Sequence, residues 1–96
     1  MNNTPKALAL SRRAMVLLNE EIDRHKRGLG TIGTHGQLEN SKQQLTRMIT
    51  QLESGSLPPK DQRLVGMGHM VADSWPVDAK LGEALLLAEQ AYRSAP

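Results

Sequence analysis

Residues 28–33 are the stretch of this chain whose spacing most resembles a chemical motif. Their sequence, GLGTIG, matches the GxGxxG fingerprint with which dinucleotide-binding domains hold a pyrophosphate. That mechanism needs a strand before the first glycine and a helix opening within the motif, inside a β-α-β unit. Here a helical pattern precedes Gly28, and no parallel sheet can be drawn. We therefore predict a flexible loop at 28–36 and no bound cofactor.

The histidines and carboxylates show no spacing typical of a metal site or a catalytic centre. Of His25, His35 and His69, only His69 has a ligand-type neighbour one helical turn away, Asp73. Protein metal sites need three or four ligands, so we interpret this pair as a hydrogen-bonded pair on the surface. The serines lie at caps or turns, and no nucleophile elbow is present. We expect a protein that is not an enzyme and binds no metal.

Composition indicates one domain, residues 1–96, in the cytoplasm. A chain of 96 residues is long enough for a single hydrophobic core. Cysteine is absent, which excludes disulfides and thiolate metal sites. The longest apolar runs, 14–18 and 84–88, are too short for a signal peptide or a membrane span. We expect no membrane partner.

The basic residues of the first 27 positions raise the question of a nucleic-acid partner. Four arginines there could contact phosphates: Arg12, Arg13, Arg24 and Arg27. The net charge is only +2, however, and Glu20 lies among these arginines. Base stacking would need aromatic side chains, and the chain has one tryptophan and one tyrosine. We expect no nucleic-acid partner, while a helical nucleic-acid-binding or regulatory domain stays open as an alternative.

Apolar residues recur at three- and four-residue steps in four segments, which predicts an all-α protein. The predicted helices span roughly 5–27, 36–54, 59–73 and 78–94. Thr34 and Gln37 have the spacing of a capping box at the start of the second helix, and Gly55 is suited to end it. Apart from the 28–36 loop, the links between the predicted helices are short, so the helices are predicted to form an antiparallel bundle.

The last predicted helix, 78–94, is apolar on two sides. One stripe includes Leu81 and Leu85, and the second consists of Ala79, Gly82 and Leu86. A helix of this kind is typically packed on two sides. It is therefore either the centre of the bundle or a helix with one face kept for a partner. The second stripe could also pair with itself and form a homodimeric adaptor.

Residues 37–92 resemble a family of small all-helical immunity proteins, which protect bacteria from a type VI-secreted toxin that hydrolyses NAD(P)+. The resemblance follows a series of packing and turn positions: Gln44, Leu45, Leu52, Ser56, Leu57, Gly68, Trp75, Asp78, Leu81, Ala84, Leu85 and Ala88. It implies a bacterial cytoplasmic protein without chemistry of its own. Such a protein binds its toxin over the active-site cleft and prevents substrate from entering.

The predicted toxin-binding surface is the corner between the third and fourth helices. It comprises His69, Asp73, Trp75 and Asp78, which place an aromatic side chain among acidic and hydrogen-bonding groups. Protein interfaces commonly combine an aromatic anchor with a polar rim. A less favoured surface is the 28–36 loop together with Arg24 and Arg27.

Overall fold

The computed structural model describes residues 4–30, 32–63, 66–76 and 79–96. These residues form four α-helices and one 3-10 turn: α1 (Thr4–Lys26), α2 (His35–Ser54), the turn (Lys60–Gln62), α3 (Met67–Ser74) and α4 (Lys80–Ser94). No strand occurs in the ranges just given, and the all-α prediction is confirmed. Within the same ranges, no helix has both the length and the hydropathy needed to cross a bilayer.

The boundaries of α2 follow from its end residues. The Thr34 hydroxyl accepts a hydrogen bond from the Gln37 N–H at 3.2 Å, and the Gln37 side chain accepts one from the Thr34 N–H at 3.0 Å. This is the predicted capping box, which satisfies two of the N–H groups left free at a helix start. At the other end, Gly55 adopts a left-handed conformation with φ 72° and terminates the helix.

The third helix is shorter than predicted, because it begins at Met67 instead of residue 59. Gly66 has φ 80°, a left-handed conformation that cannot continue a right-handed helix. Among the described residues of the predicted span before Gly66, Lys60–Gln62 form a single 3-10 turn. Leu64 and Val65, which belong to the predicted third helix, lie outside the described residues.

Neighbouring helices run antiparallel. Arg12 near the start of α1 pairs with Glu53 at the end of α2, and Gly68 at the start of α3 bonds Glu89 in the second half of α4. Helix α1 lies between α2 and α4, and α3 packs mainly on α4. The core is made of aliphatic side chains from all four helices, including Leu18, Leu45 and Leu85.

Helix α4 is covered from two directions, as its two apolar stripes predicted. Its first stripe packs against α1, and its second stripe meets α3. Gly82 allows the close approach of α3, because a methyl group at this position would lie 2.9 Å from Cγ1 of Val71. Ala79 and Gly82 are consequently buried, and only Leu86 of that stripe is exposed. Most of the surface expected to pair two copies of the chain is thus already covered by α3.

A buried cation closes the far end of α4. The Arg63 guanidinium donates to the Pro58 carbonyl at 2.8 Å and to the Tyr92 carbonyl at 3.0 Å. It also donates to the carbonyls of Arg93 and Ala95. These are the acceptors that a helix leaves unsatisfied at its C-terminus, where a positive charge is also favourable. Arg63 therefore ties the chain before α3 to the end of α4.

Candidate partner-binding surface

Large apolar side chains are exposed at four positions of the part of the chain that the structure describes. Val16 on α1 is 58% exposed, Leu86 and Leu87 on α4 are 41% and 43% exposed, and Leu29 in the loop after α1 is 63% exposed. Leu86 and Leu87 are adjacent in the chain, and neighbouring exposed apolar side chains are a feature of protein-binding surfaces. The outer side of α4 is therefore a candidate partner-binding surface.

A groove of about 450 Å³ lies beside Leu86, where α3 and α4 meet. We call it the corner groove, and it is lined by Val71, Ala72, Trp75, Pro76, Ala79, Gly82, Glu83 and Leu86. Seven of these eight residues are uncharged and six carry hydrocarbon or aromatic side chains, so its chemistry favours an apolar group. Among the described lining residues, Glu83 supplies the one carboxylate.

The wall formed by α3 is held in place by Glu89 of α4. The Glu89 carboxylate accepts a hydrogen bond from the Gly68 N–H at 2.8 Å, in the first turn of α3. Helix N-termini favour a negative charge, because their first N–H groups have no partner within the helix. Gly68 leaves room for this contact, since a methyl group there would lie 2.5 Å from the carboxylate oxygen. The contact fixes the position of α3 against α4.

Trp75 forms part of the core and of the groove wall. Its side chain is 5% exposed, and its indole N–H donates to the Gln37 side-chain oxygen at 3.1 Å. The ring also fills the space above Gly33, where a methyl group would lie 2.9 Å from Nε1. Trp75 is therefore buried at the corner where it was predicted to contact a partner, and it does not project as an aromatic anchor. It can contact a partner only as one wall of the corner groove.

Two other residues predicted for this corner, His69 and Asp73, are exposed on α3 and do not line the groove. No hydrogen bond joins their side chains, which corrects the predicted surface pair. Asp78 lies outside the described residues. Of the predicted set, the structure places only Trp75 at the groove.

The loop after α1 is anchored by a buried carboxylate. Glu21 is fully buried and accepts hydrogen bonds from Nε and Nη2 of Arg24, at 2.9 and 2.7 Å, and from the Ile32 N–H at 3.3 Å. Nε2 of His25 lies 3.2 Å from Glu21 and 2.9 Å from the Ile32 carbonyl. Because a carbonyl only accepts, Nε2 carries a hydrogen.

These contacts correct the prediction of a freely flexible 28–36 loop. In addition to the bonds at Ile32, a methyl group at Gly30 would overlap the imidazole of His25. Arg24 is engaged by Glu21, and Arg27 pairs with Asp23. The two arginines of the less favoured surface therefore already have partners within the chain. Thr31 lies outside the described residues.

Three of the four arginines considered for nucleic-acid binding are ion-paired in the structure. Arg12 bonds Glu53 at 2.6 Å, and Arg24 and Arg27 are paired as described above. Each pair neutralises a charge that phosphate contacts would require. The geometry therefore gives no specific support to a nucleic-acid interface on α1.

Sequence reasoning overlooked Leu87 although a signal was present. Leu85, Leu86 and Leu87 are consecutive, and three successive helical positions cover about 200° of the helix surface. Leu85 is buried, so its two neighbours had to lie on either side of the core-facing line. Val16 was also indicated by the helical spacing, because it lies one turn from the exposed residues Arg12 and Glu20, opposite the buried stripe of α1.

Possible metal sites and comparisons with known proteins give no further indication of what this surface binds. No group of three or more histidine, aspartate or glutamate side chains that could hold a metal occurs in the part of the chain that the structure describes. A scan against models of known protein families found no match. A comparison with curated proteins found no significantly similar sequence. The immunity-protein resemblance therefore remains a sequence-based expectation.

Proposed function

We propose that this protein is an immunity protein that binds and inhibits a cognate secreted toxin of the NAD(P)+-hydrolysing class. Support comes from the resemblance of residues 37–92, together with an apolar surface that the fold leaves uncovered. The observation that carries the proposal is the exposed side chain of Leu86 at the edge of the corner groove. Inhibition by occlusion requires a binding surface and no catalytic group.

The corner groove would form the centre of the contact. Binding energy in protein interfaces is concentrated in a few central apolar contacts surrounded by residues that exclude water. Here a side chain of the toxin would enter between Val71 and Leu86, and a basic group beside it would pair with Glu83. Protection needs very little free toxin, so a Kd of about 1 nM or lower, about −12 kcal/mol, is expected.

Co-expression with the toxin encoded beside this gene tests the proposal. The wild-type protein should restore growth, and Leu86→Asp should weaken binding by at least about 100-fold, because it places a charge in the apolar centre. Stability should change little, since Leu86 is 41% exposed. Val16→Asp is the matched control, because Val16 is also an exposed apolar residue on a helix but does not line the corner groove.

Two results would contradict the proposal. Cells that die despite full expression of the wild-type protein would show that it does not neutralise this toxin. Equal protection by the wild type and by Leu86→Asp, with unchanged affinity in calorimetry, would show that toxin binding does not use the corner groove.

The alternatives are tested separately. A nucleic-acid-binding domain would lose affinity for duplex DNA steeply with rising salt, because phosphate contacts release counterions. A homodimeric adaptor would show twice the monomer mass in light scattering.

A further inference from the structure

A second concave surface lies on the other side of Leu87, between α1 and α4. It consists of two adjoining grooves of about 310 and 250 Å³ that share Leu87. We call them together the α1–α4 channel, lined by Lys6, Leu10, Arg13, Leu17, Lys80, Glu83, Ala84, Leu87, Gln90, Ala91 and Ser94. From Lys80 to Ser94 the channel follows α4 for about 21 Å, at about 1.5 Å per residue.

The channel combines an apolar floor with a basic rim. Leu10, Leu17 and Leu87 are partly or largely accessible along its length. The rim carries three cations, Lys6, Arg13 and Lys80, against the single carboxylate of Glu83.

None of the three rim cations is ion-paired among the described residues. By contrast, Arg12, Arg24 and Arg27, also on or just after α1, each have a carboxylate partner. The rim therefore brings together three cations without a carboxylate partner in the described chain, whereas Lys26 and Arg93, which are also exposed on α1 and α4, lie outside the channel. A partner that supplies carboxylates would meet these charges at a surface where solvent screening is reduced on contact.

We propose that the α1–α4 channel binds an amphipathic helix of a protein partner that is apolar on one face and acidic along its flanks. A straight channel of about 21 Å matches about four turns of helix. Apolar side chains at i, i+3, i+4 and i+7 would pack along Leu10, Leu17 and Leu87, the usual mode of helix-in-groove recognition. Acidic side chains beside that stripe would lie opposite Lys6, Arg13 and Lys80.

Charge also argues against a second copy of this chain as the occupant. In a two-fold contact the same surface appears on both sides, so each rim of net charge +2 would face another of the same sign. The two surfaces share Glu83 but contain different leucines, Leu86 in the corner groove and Leu87 in the channel. Separate substitutions of these leucines therefore distinguish this proposal from the toxin hypothesis.

Two synthetic helical peptides of about 15 residues provide the test. Both carry leucine at i, i+3, i+4 and i+7; one has glutamate and the other lysine at the flanking positions. The glutamate peptide should bind at least about tenfold more tightly at low salt. In a titration followed by NMR, the backbone signals of Leu10, Leu17 and Leu87 should shift most.

Variants of the rim and floor make the test specific. Arg13→Glu combined with Lys80→Glu should reverse the preference between the two peptides, and Leu87→Asp should abolish binding of both. Lys42→Glu is the matched control, because Lys42 is an exposed cation on α2 and should leave the preference unchanged. Leu86→Asp should also leave peptide binding unchanged, which separates this surface from the corner groove.

Four outcomes would overturn the proposal. Equal affinity for the two peptides would remove the role of charge, and signal shifts away from the channel would place the site elsewhere. Sedimentation with vesicles of phosphatidylglycerol and phosphatidylcholine, lost in the Arg13→Glu and Lys80→Glu variant, would identify a membrane surface as the occupant. A doubled mass in light scattering, restored to the monomer value by Leu87→Asp, would identify a second copy.

Discussion

Replacing Arg63 with alanine should destabilise the protein more than any other single removal of a charged side chain. The guanidinium is buried and donates hydrogen bonds to the carbonyls of Pro58, Tyr92, Arg93 and Ala95. The central guanidinium carbon, Cζ, also lies 5.9 Å from the centre of the Tyr92 ring. Alanine would remove these contacts and leave a space lined by carbonyl oxygens.

The expected loss follows from the competing contributions. A hydrogen bond from a charged donor contributes about 1.5–3 kcal/mol, and a cation at a helix C-terminus contributes about 0.3–2 kcal/mol. Water entering the vacated space would satisfy part of the freed carbonyls and reduce the loss. We therefore expect a decrease of about 3 kcal/mol in the free energy of unfolding, a large fraction of the about 5–15 kcal/mol typical of a domain.

Urea denaturation followed by circular dichroism measures this loss. With an m value of about 1.5 kcal/mol/M, the midpoint should fall by about 2 M. Arg63→Lys should lie between wild type and alanine, because lysine keeps the charge but lacks the planar fork. Arg93→Ala, an exposed cation in the last turn of α4, should change stability by less than about 0.5 kcal/mol. If Arg63→Ala matches Arg93→Ala, the closure of α4 by Arg63 does not stabilise the fold.

Three further predictions concern the loop and the core. Gly33→Ala should lower the free energy of unfolding by about 2 kcal/mol, because φ is 72° and the methyl group would press on Trp75. Gly36→Ala, at a position with open space, should be neutral or stabilising. The urea midpoints of the two variants measure the difference. Glu21→Ala should lower the free energy of unfolding by about 2–3 kcal/mol, because the Ile32 N–H would lose its acceptor. Replacement of the exposed neighbouring residue, Glu20→Ala, should change it by less than about 0.5 kcal/mol in the same assay. Burial raises the pKa of Tyr92 above its ordinary 10.0, against the lowering effect of Arg63 and Arg47. The contribution of Tyr92 to the free energy of unfolding should therefore be complete below pH 10.0 and should decline as pH rises through the folded-state pKa. Urea titrations across that range should show this decline in the wild type and not in Tyr92→Phe.

Local patterns predicted α1, α2 and α4 to within two residues, because the signals for these helices lie inside the segments themselves. The capping box at Thr34 and the left-handed Gly55 are local features, and both are present. The start of α3 was missed partly for a tertiary reason. Its first turn depends on Glu89, 21 positions further along the chain, which the sequence around residue 66 cannot reveal. Gly66, which is left-handed in the structure, was a local signal for the helix start that the predicted span 59–73 did not use.

The candidate site was predicted less well, because burial depends on how helices pack. The pattern placed Trp75 at the α3–α4 corner, but its burial results from contacts with Gly33 and Gln37, which lie about 40 positions earlier. The two apolar stripes on α4 were recognised from the sequence. Only the structure shows that α3 covers Ala79 and Gly82 of the second stripe and leaves Leu86 exposed. Arg63 and Glu21 were missed because charged residues are predicted to be exposed unless a distant partner is known.

The contact between His25 and Gly30 restricts the order in which substitutions at these two positions can be accepted during evolution. A side chain at position 30 would overlap the imidazole, so Gly30 can be replaced only after His25 has become smaller. That first step in turn removes the group that bridges Glu21 and the Ile32 carbonyl. The two substitutions should be strongly non-additive, and natural variants should alter positions 25 and 30 together or leave both unchanged.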